Sequence, residues 1–228
     1  MPLFQLTEDI LFPSPELAEP DGLLAVGGDL TPARLLAAYR QGIFPWFSEG
    51  EPLLWWSPAP RLVLLPEQFH LPRRLGRTLR KQVFTVTTDT AFSEIIANCA
   101  SIRRASGEGT WITPDMQKAY IALHELGFAH SVECWHKGEL AGGLYGVSLD
   151  RFFFGESMFS HQTDASKVAL ATLALNAEQL SINAIDCQMT TTHLLRFGAQ
   201  EFSREEFQKM LLQFIESITP QKRWCLSA

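Results

Sequence analysis

The sequence predicts an α+β protein, with a small proline-rich N-terminal region ahead of a larger mixed sheet flanked by helices. Three observations carry this. Residues 1–59 hold eight of the thirteen prolines, a density that forbids long helices and central strands. After residue 128, three strand-like segments follow one another across short turns, a meander that implies antiparallel pairing. Helical segments stand on both sides of that meander, and the meander itself rules out a purely parallel, doubly wound sheet. The chain has 228 residues, 46% hydrophobic and 19% charged, enough for a small and a medium domain. A composition shift near Arg61 sets the expected division into a small N-terminal domain, residues 1–60, and a larger domain, residues 61–228.

The elements follow in order. "TPARLLAAYRQG" reads as a helix with Thr31 as N-cap, Pro32 at its first position and Gly42 just past its end. The rest of the N-terminal region reads as loops and short strands. Residues 67–81 carry Arg73, Arg74, Arg77, Arg80 and Lys81, spaced to lie mostly on one helical face. "VFTVTT" alternates as a strand. "DTAFSEIIANCASI" reads as a helix capped by Asp89 or Thr90, and "TPDMQKAYIALHELG" as one capped by Thr113 and ended by Gly127. The meander runs from "AHSVECWH" through Lys137 and Gly138 into "ELAGGLYGVSL", then through Asp150 into "RFFFGESMF". Asp164 is expected to cap the helix "ASKVALATLALNAEQL". "AIDCQMT" is a further strand and "SREEFQKMLLQFIES" a closing helix. From residue 83 the order is β, α, α, β, β, β, α, β, α. It resembles the acetyltransferase-like (GNAT-type) fold, in which an acyl donor and an amine meet near the sheet centre.

Bulk properties exclude several classes. Net charge is −6, so any polyanion site must be a local patch. The window from Arg61 to Lys81 is such a patch, with six basic residues against one acid, although charge runs are also common on solvated faces. No run of about 18 apolar residues suggests a membrane span. The start, "MPLFQLTEDILFPSP", has neither a basic n-region nor an apolar h-region, so no signal peptide is expected. The four cysteines, at 99, 134, 187 and 225, show no zinc-ligand spacing. They read as free thiols of a reducing cytoplasm, with no metal.

Chemistry concentrates in a few stretches. GNAT-type acetyltransferases seat the coenzyme A pyrophosphate on a glycine-rich turn at a helix N-terminus. The corresponding turn here, "FSHQTDASK", has no glycine, which argues against a coenzyme A donor. In a regular strand Asp186, Gln188 and Thr190 share one face. An acid and an amide in an apolar neighbourhood need partners, and Glu156 is a candidate, re-aimed by a bulge at Gly155. The same pattern also fits a purely structural tie between strands. "GIFPWFSEGEPLLWWSP" packs five aromatics among three prolines. Trp111, just before a helix cap, is either a core plug or a stacking platform for a base. His124, His130 and His136 are six apart and read as core or surface residues.

Together "PDGLLAVGGDLTPARLLAAYRQGIFPWF", "LLWWSPAPR", "EGTWIT", "LHELGFAHSVECW", "GESMFS" and "IDCQMTTTH" resemble the leucyl/phenylalanyl-tRNA–protein transferase family, over roughly residues 12–200. The resemblance implies transfer of leucine or phenylalanine, and less readily methionine, from charged tRNA to an N-terminal Arg or Lys. That addition marks the acceptor for N-end-rule degradation in the cytoplasm, and needs no metal and no coenzyme A. By resemblance, Trp46 and Trp111 sandwich the terminal adenosine, while Trp55 and Trp56 pin the two domains together. Phe153, Met158, Leu170, Leu173 and Ile185 line the side-chain pocket, with Leu173 where the family is expected to carry an aromatic. Glu156 and Asp186 supply charge for the cationic acceptor. Asp186 polarises Gln188, whose amide oxygen accepts from the attacking amine; alternatively Asp186 accepts the proton directly. Arg73, Arg74, Arg77, Arg80 and Lys81 contact the acceptor stem. A monomer is expected. Two rival readings remain at this point, an acetyl-CoA-dependent N-acetyltransferase and a non-catalytic tRNA-binding module.

Overall fold

Two sheets organise the chain. The computed structural model describes residues 3–105 and 110–226. Residues 106–109, which include the first three residues of "GEGTWIT", lie outside the described residues. The first sheet has the order β1-β2-β4-β3, built from β1 (Phe4–Leu6), β2 (Leu23–Gly27), β3 (Phe44–Pro45) and β4 (Leu54–Trp56). Helix α1 (Pro32–Tyr39) joins β2 to β3, with Pro32 in its first turn and the Thr31 hydroxyl accepting from the Arg34 N–H, as expected. Gly42 follows at φ +72°. A Cβ there would lie 2.5 Å from the Phe207 ring, so glycine serves both the turn and the packing.

The second sheet has seven strands in the order β11-β5-β10-β9-β8-β7-β6. They are β5 (Arg61–Leu64), β6 (Thr85–Thr88), β7 (Ala129–His136), β8 (Glu139–Leu149), β9 (Phe152–Ser160), β10 (Ala184–Gln188) and β11 (Gln200–Phe202). Helices α2 (Arg73–Arg80), α3 (Phe92–Ala105), α4 (Pro114–Glu125), α5 (Ala165–Leu175), α6 (Thr192–Leu195) and α7 (Arg204–Phe214) complete the chain. The meander β7–β8–β9 is antiparallel. Its first turn puts Lys137 and Gly138 at φ +54° and +84°, the positive pair that a tight two-residue hairpin requires. "FFF" in β9 shows how both faces are covered. Phe152 and Phe154 enter one hydrophobic cluster with Ile95 and Tyr120 of α3 and α4. Phe153 enters the other with Leu170 and Leu173 of α5. The result is the expected mixed α+β architecture, with a small separate N-terminal sheet.

Within the seven-stranded sheet β9 and β10 form the parallel pair, the other pairs being antiparallel, and this pair makes the cleft. They pair over three positions, Ala184↔Phe152 to Asp186↔Phe154. Beyond that β9 continues along β8 while β10 stops at Gln188, so the two strands part like a wedge. Each strand carries a bulge at the wedge. The β8–β9 register steps from Tyr145↔Ser157 to Gly146↔Gly155, leaving Glu156 as the extra residue beside the expected Gly155. The β10–β5 register steps from Asp186↔Val63 to Gln188↔Leu62, leaving Cys187 as the extra residue.

Several expectations need correction. β5, β11 and α6 were not legible, because they have four, three and four residues, too short for a period to show. α5 ends at Leu175 rather than near residue 180. Asp164 does not cap it: its backbone is left-handed, at φ +72°, and its side chain makes no capping bond. The Ser160 hydroxyl receives the Ser166 N–H instead, at 2.9 Å, and Asp164 pairs with Lys167 at 2.9 Å. Trp55 and Trp56 brace the small sheet. Trp55 donates to the Gly27 carbonyl and packs edge-on to Phe12, while Trp56 donates to the Trp46 carbonyl at 2.6 Å. Polar ties between the N-terminal segment and the rest of the chain include Arg204 of α7 on Ser57, at 2.9 Å to both its hydroxyl and its carbonyl, and the Gln208 amide on the Gln41 carbonyl at 3.0 Å.

Candidate active site

A cavity of about 360 Å³ fills the wedge between β9 and β10. Trp46 and Trp111 stand on its wall, and Phe153, Met158, Leu170, Leu173 and Ile185 make it apolar. Glu156, Asp186 and Gln188 line it as well. The fold therefore gathers these ten side chains, drawn from the large sheet, helix α5 and two connecting segments, around one space. Trp46 is 40% exposed, large for an indole, and Trp56 holds it edge-on at 5.5 Å. The five basic residues of the α2 segment do not line the cavity. Arg73, Arg74, Arg77, Arg80 and Lys81 are all exposed, while Leu75 and Gly76 of the same helix are buried.

Asp186 differs from expectation. It is fully buried and forms a two-pronged pair with Arg61, at 2.8 Å from Nε and 2.6 Å from Nη2. Its Oδ1 also accepts the Gln188 backbone N–H at 2.9 Å. Asp186 thus touches Gln188 through the main chain, and it pins that residue at φ +53°, an uncommon conformation that needs such a hold. Because its charge is already balanced, Asp186 is not spare charge for an incoming cation. Nor does period-two alternation hold here. The bulge brings Ile185, Asp186, Cys187 and Gln188 all to the cavity lining. Arg61 in turn is buried between the rings of Phe44 and Phe207, at 4.9 and 4.7 Å, and takes no part in the exposed basic face. A charge opening the apolar run "RLVLL" was the available signal that it needs a buried partner.

Glu156 has two partners that the sequence did not reveal. Tyr39 donates to its Oε1 at 2.6 Å and Tyr120 to its Oε2 at 3.1 Å, and the two hydroxyls also bond one another. Desolvation in this enclosed corner pushes the Glu156 carboxyl up to about 7. The hydroxyl bonds and the Arg61 charge oppose that rise, while Asp186 adds to it. Burial, and then the Glu156 charge, push both phenols well above their ordinary range, so they stay protonated donors. Cys187 is also pushed up by burial and by Asp186, which keeps it a neutral thiol. His193, on the cavity rim, is held below its ordinary value by desolvation, then by Lys167 and Arg196. Among the described residues no three His, Cys, Asp or Glu side chains gather as a metal site would need, and no helix is long and apolar enough to cross a membrane.

A carboxyl raised toward neutrality on the lining of an apolar pocket can take a proton from an amine while the pocket holds an acyl group. On a mixed sheet that splits at its parallel pair, this combination fits an acyl-transferring enzyme. The comparisons with known proteins narrow the class. Residues 63–212 match the family described as leucyl/phenylalanyl-tRNA protein transferase, and residues 28–59 match its N-terminal domain. The chain belongs to the leucyl/phenylalanyl-tRNA protein transferase family. It is 58% identical to the transferase of that name from Desulfatibacillum aliphaticivorans, over 100% of this chain and 98% of that one. It is 56% identical to the one from Syntrophobacter fumaroxidans, over 98% and 96%. Solved structures resemble it only weakly. FemX aligns with TM-score 0.48 at 11% identity, over 82% of this chain and 71% of that one. A GCN5-related N-acetyltransferase from Kribbella flavida aligns with TM-score 0.40 at 11% identity, over 75% and 61%.

Proposed function

We propose that this chain moves leucine or phenylalanine, and less readily methionine, from a charged tRNA to a protein that begins with Arg or Lys. The observation that carries the proposal is the single cavity, which joins two indoles, an apolar pocket and Glu156. The terminal adenosine stacks between Trp46 and Trp111, each such contact contributing ~1–3 kcal/mol. The side chain of the donor enters the space lined by Phe153, Met158, Leu170, Leu173 and Ile185. Met158 adapts this pocket to a branched or a flat occupant. The exposed face of Arg73, Arg74, Arg77, Arg80 and Lys81 meets the acceptor stem, positioning the tRNA without reading it.

The acceptor's positively charged end is drawn to Glu156. An α-amine titrates at about 8, close to the Glu156 carboxyl, so a proton passes from ammonium to carboxylate at small cost. The free amine then attacks the ester carbonyl carbon while the Gln188 amide oxygen accepts one of its N–H bonds. A C–N bond forms and the C–O bond to the ribose breaks. One proton leaves the nitrogen for the departing ribose oxygen, and Glu156 returns its own to solvent. Asp186, with both oxygens engaged by Arg61, positions Gln188 and is not the base. No coenzyme takes part. In this reading the protein is a cytoplasmic monomer that marks its acceptors for degradation, with a small domain over residues 1–60 and a catalytic domain over 61–228.

The test presents labelled Leu-tRNA or Phe-tRNA together with a peptide that begins with Arg. Label on the peptide is expected. No label from either tRNA, or acetylation of the same peptide from acetyl-CoA, would refute the proposal.

A further inference from the structure

We infer that the segment after α7 is a strap whose Trp224 fixes the depth of the aminoacyl pocket from behind, so that a residue outside the cavity sets the choice between leucine and phenylalanine. This rests on the proposed function, whose pocket it concerns.

The strap has no regular structure and is held by named bonds. The Gln221 N–H donates to the Gly127 carbonyl at 2.8 Å, and its side-chain amide donates to the Asp150 carbonyl at 2.8 Å. The Trp224 N–H donates to Asp89 Oδ2 at 2.6 Å, and the Thr88 hydroxyl donates to the Trp224 carbonyl at 2.9 Å. The contact at Gly127 is close enough that a Cβ there would fall 2.5 Å from the Gln221 oxygen. These bonds fix the backbone on both sides of the indole. Trp224 Nε1 donates to Gln221 Oε1 at 3.1 Å, which fixes its rotation.

The indole is only 6% exposed. One contact is the His130 ring, stacked at 4.3 Å and 5°, itself held by Asp89 at 2.7 Å. Another is Phe153, at 5.5 Å and 40°. Phe153 is 1% exposed, yet it lines the cavity. Gly146 closes on the same ring, since a Cβ there would meet Phe153 Cζ at 2.5 Å. Phe153 therefore has the cavity before it, a glycine backbone beside it and the indole behind it. Close packing leaves it no second position while the indole is present. A smaller side chain at 224 opens space behind the ring. Phe153 can then recede, which deepens the pocket and favours the longer, flat occupant. Such pockets discriminate by about 10–200-fold per methylene-sized change, so a partial retreat is worth a several-fold shift.

The experiment uses the full chain and two stable analogues, adenosine carrying leucine or phenylalanine through an amide at its 3′ position. Their affinities are measured by calorimetry for wild type, Trp224→Leu, Trp224→Phe and Thr88→Ala. The ratio of the two affinities does not depend on the fraction of protein that is folded. In Trp224→Leu it should move at least fivefold toward phenylalanine. Trp224→Phe should restore most of the wild-type ratio, and Thr88→Ala, which loosens the strap but keeps the indole, should move it slightly in the same direction. If Trp224→Leu does not fold, a ratio that stays at the wild-type value in Thr88→Ala overturns the inference. A ratio unchanged within twofold in Trp224→Leu overturns it directly, even if both affinities fall. If wild type binds neither analogue, the proposed function fails and the inference fails with it.

Discussion

Replacing Arg61 with methionine would leave the Asp186 carboxylate alone in a site closed to water. The pair is wholly interior, with side chains 1% and 0% exposed and a 2.6 Å contact. Removing one partner of a buried pair costs about 3–5 kcal/mol, because the remaining charge is left uncompensated. The guanidinium also leaves the rings of Phe44 and Phe207, but methionine fills much of the same volume, so the charge dominates. For a chain of this size, 1 kcal/mol shifts the melting temperature by roughly 2–4 °C, so the expected loss is roughly 6–20 °C. The sign with pH follows from the same cause. An unpaired buried carboxyl titrates higher when folded than when unfolded, so the deficit is greatest at alkaline pH and shrinks as the pH falls toward about 4. Urea unfolding at pH 8 and pH 4.5, with peptide aminoacylation measured alongside, checks both effects. Adding Asp186→Asn to Arg61→Met should recover part of the stability but not the transfer, because Gln188 still lacks its charged anchor. If Arg61→Met costs less than about 1 kcal/mol at both pH values, the pair is not the buried keystone described above.

Other outcomes follow from the same geometry. Glu156 titrates at about 7 when folded, against an ordinary 4.5. Its buried charge therefore destabilises the wild type increasingly from pH 4.5 to 7, and constantly above that. Glu156→Gln should thus gain stability over wild type through that window, while losing the limb of transfer activity that rises near pH 7. Identical pH profiles for stability and activity would remove Glu156 from the proton path. Trp111→Ala should weaken binding of the amide-linked adenosine analogues by roughly 5–150-fold, the equivalent of one lost stacking contact at ~1–3 kcal/mol; unchanged affinity removes Trp111 from the adenosine site. Replacing Arg77 and Arg80 by alanine should make the dependence of log affinity for tRNA on log salt shallower by about two units. An unchanged slope would mean that this face of α2 is merely solvated.

Much of the architecture is local, and so is legible in the chain. Thr31 and Thr113 cap the helices they precede, each accepting an N–H three residues on. Ser203 and Glu206 form a reciprocal cap on the closing helix. Lys137 and Gly138 turn the meander where their residue types suggest. The resemblance also names Trp46, Trp111 and the apolar positions, and the cavity brings those positions together. Their catalytic and binding roles belong to the proposal.

What the chain alone determined was therefore the order of elements, their caps and turns, and the types of side chain assembled for a site. What the tertiary structure decided was who stands next to whom. Arg61 meets Asp186 across 125 positions, and Tyr39 meets Glu156 across 117. No periodicity encodes such pairs, because they arise only when separate elements close around a common interior. The strand periodicity itself failed at Cys187, where one extra residue broke the alternation of side chains. That bulge, and the parting of β9 from β10, came from strand pairing across the sheet, and together they open the space in which the reaction is proposed to occur.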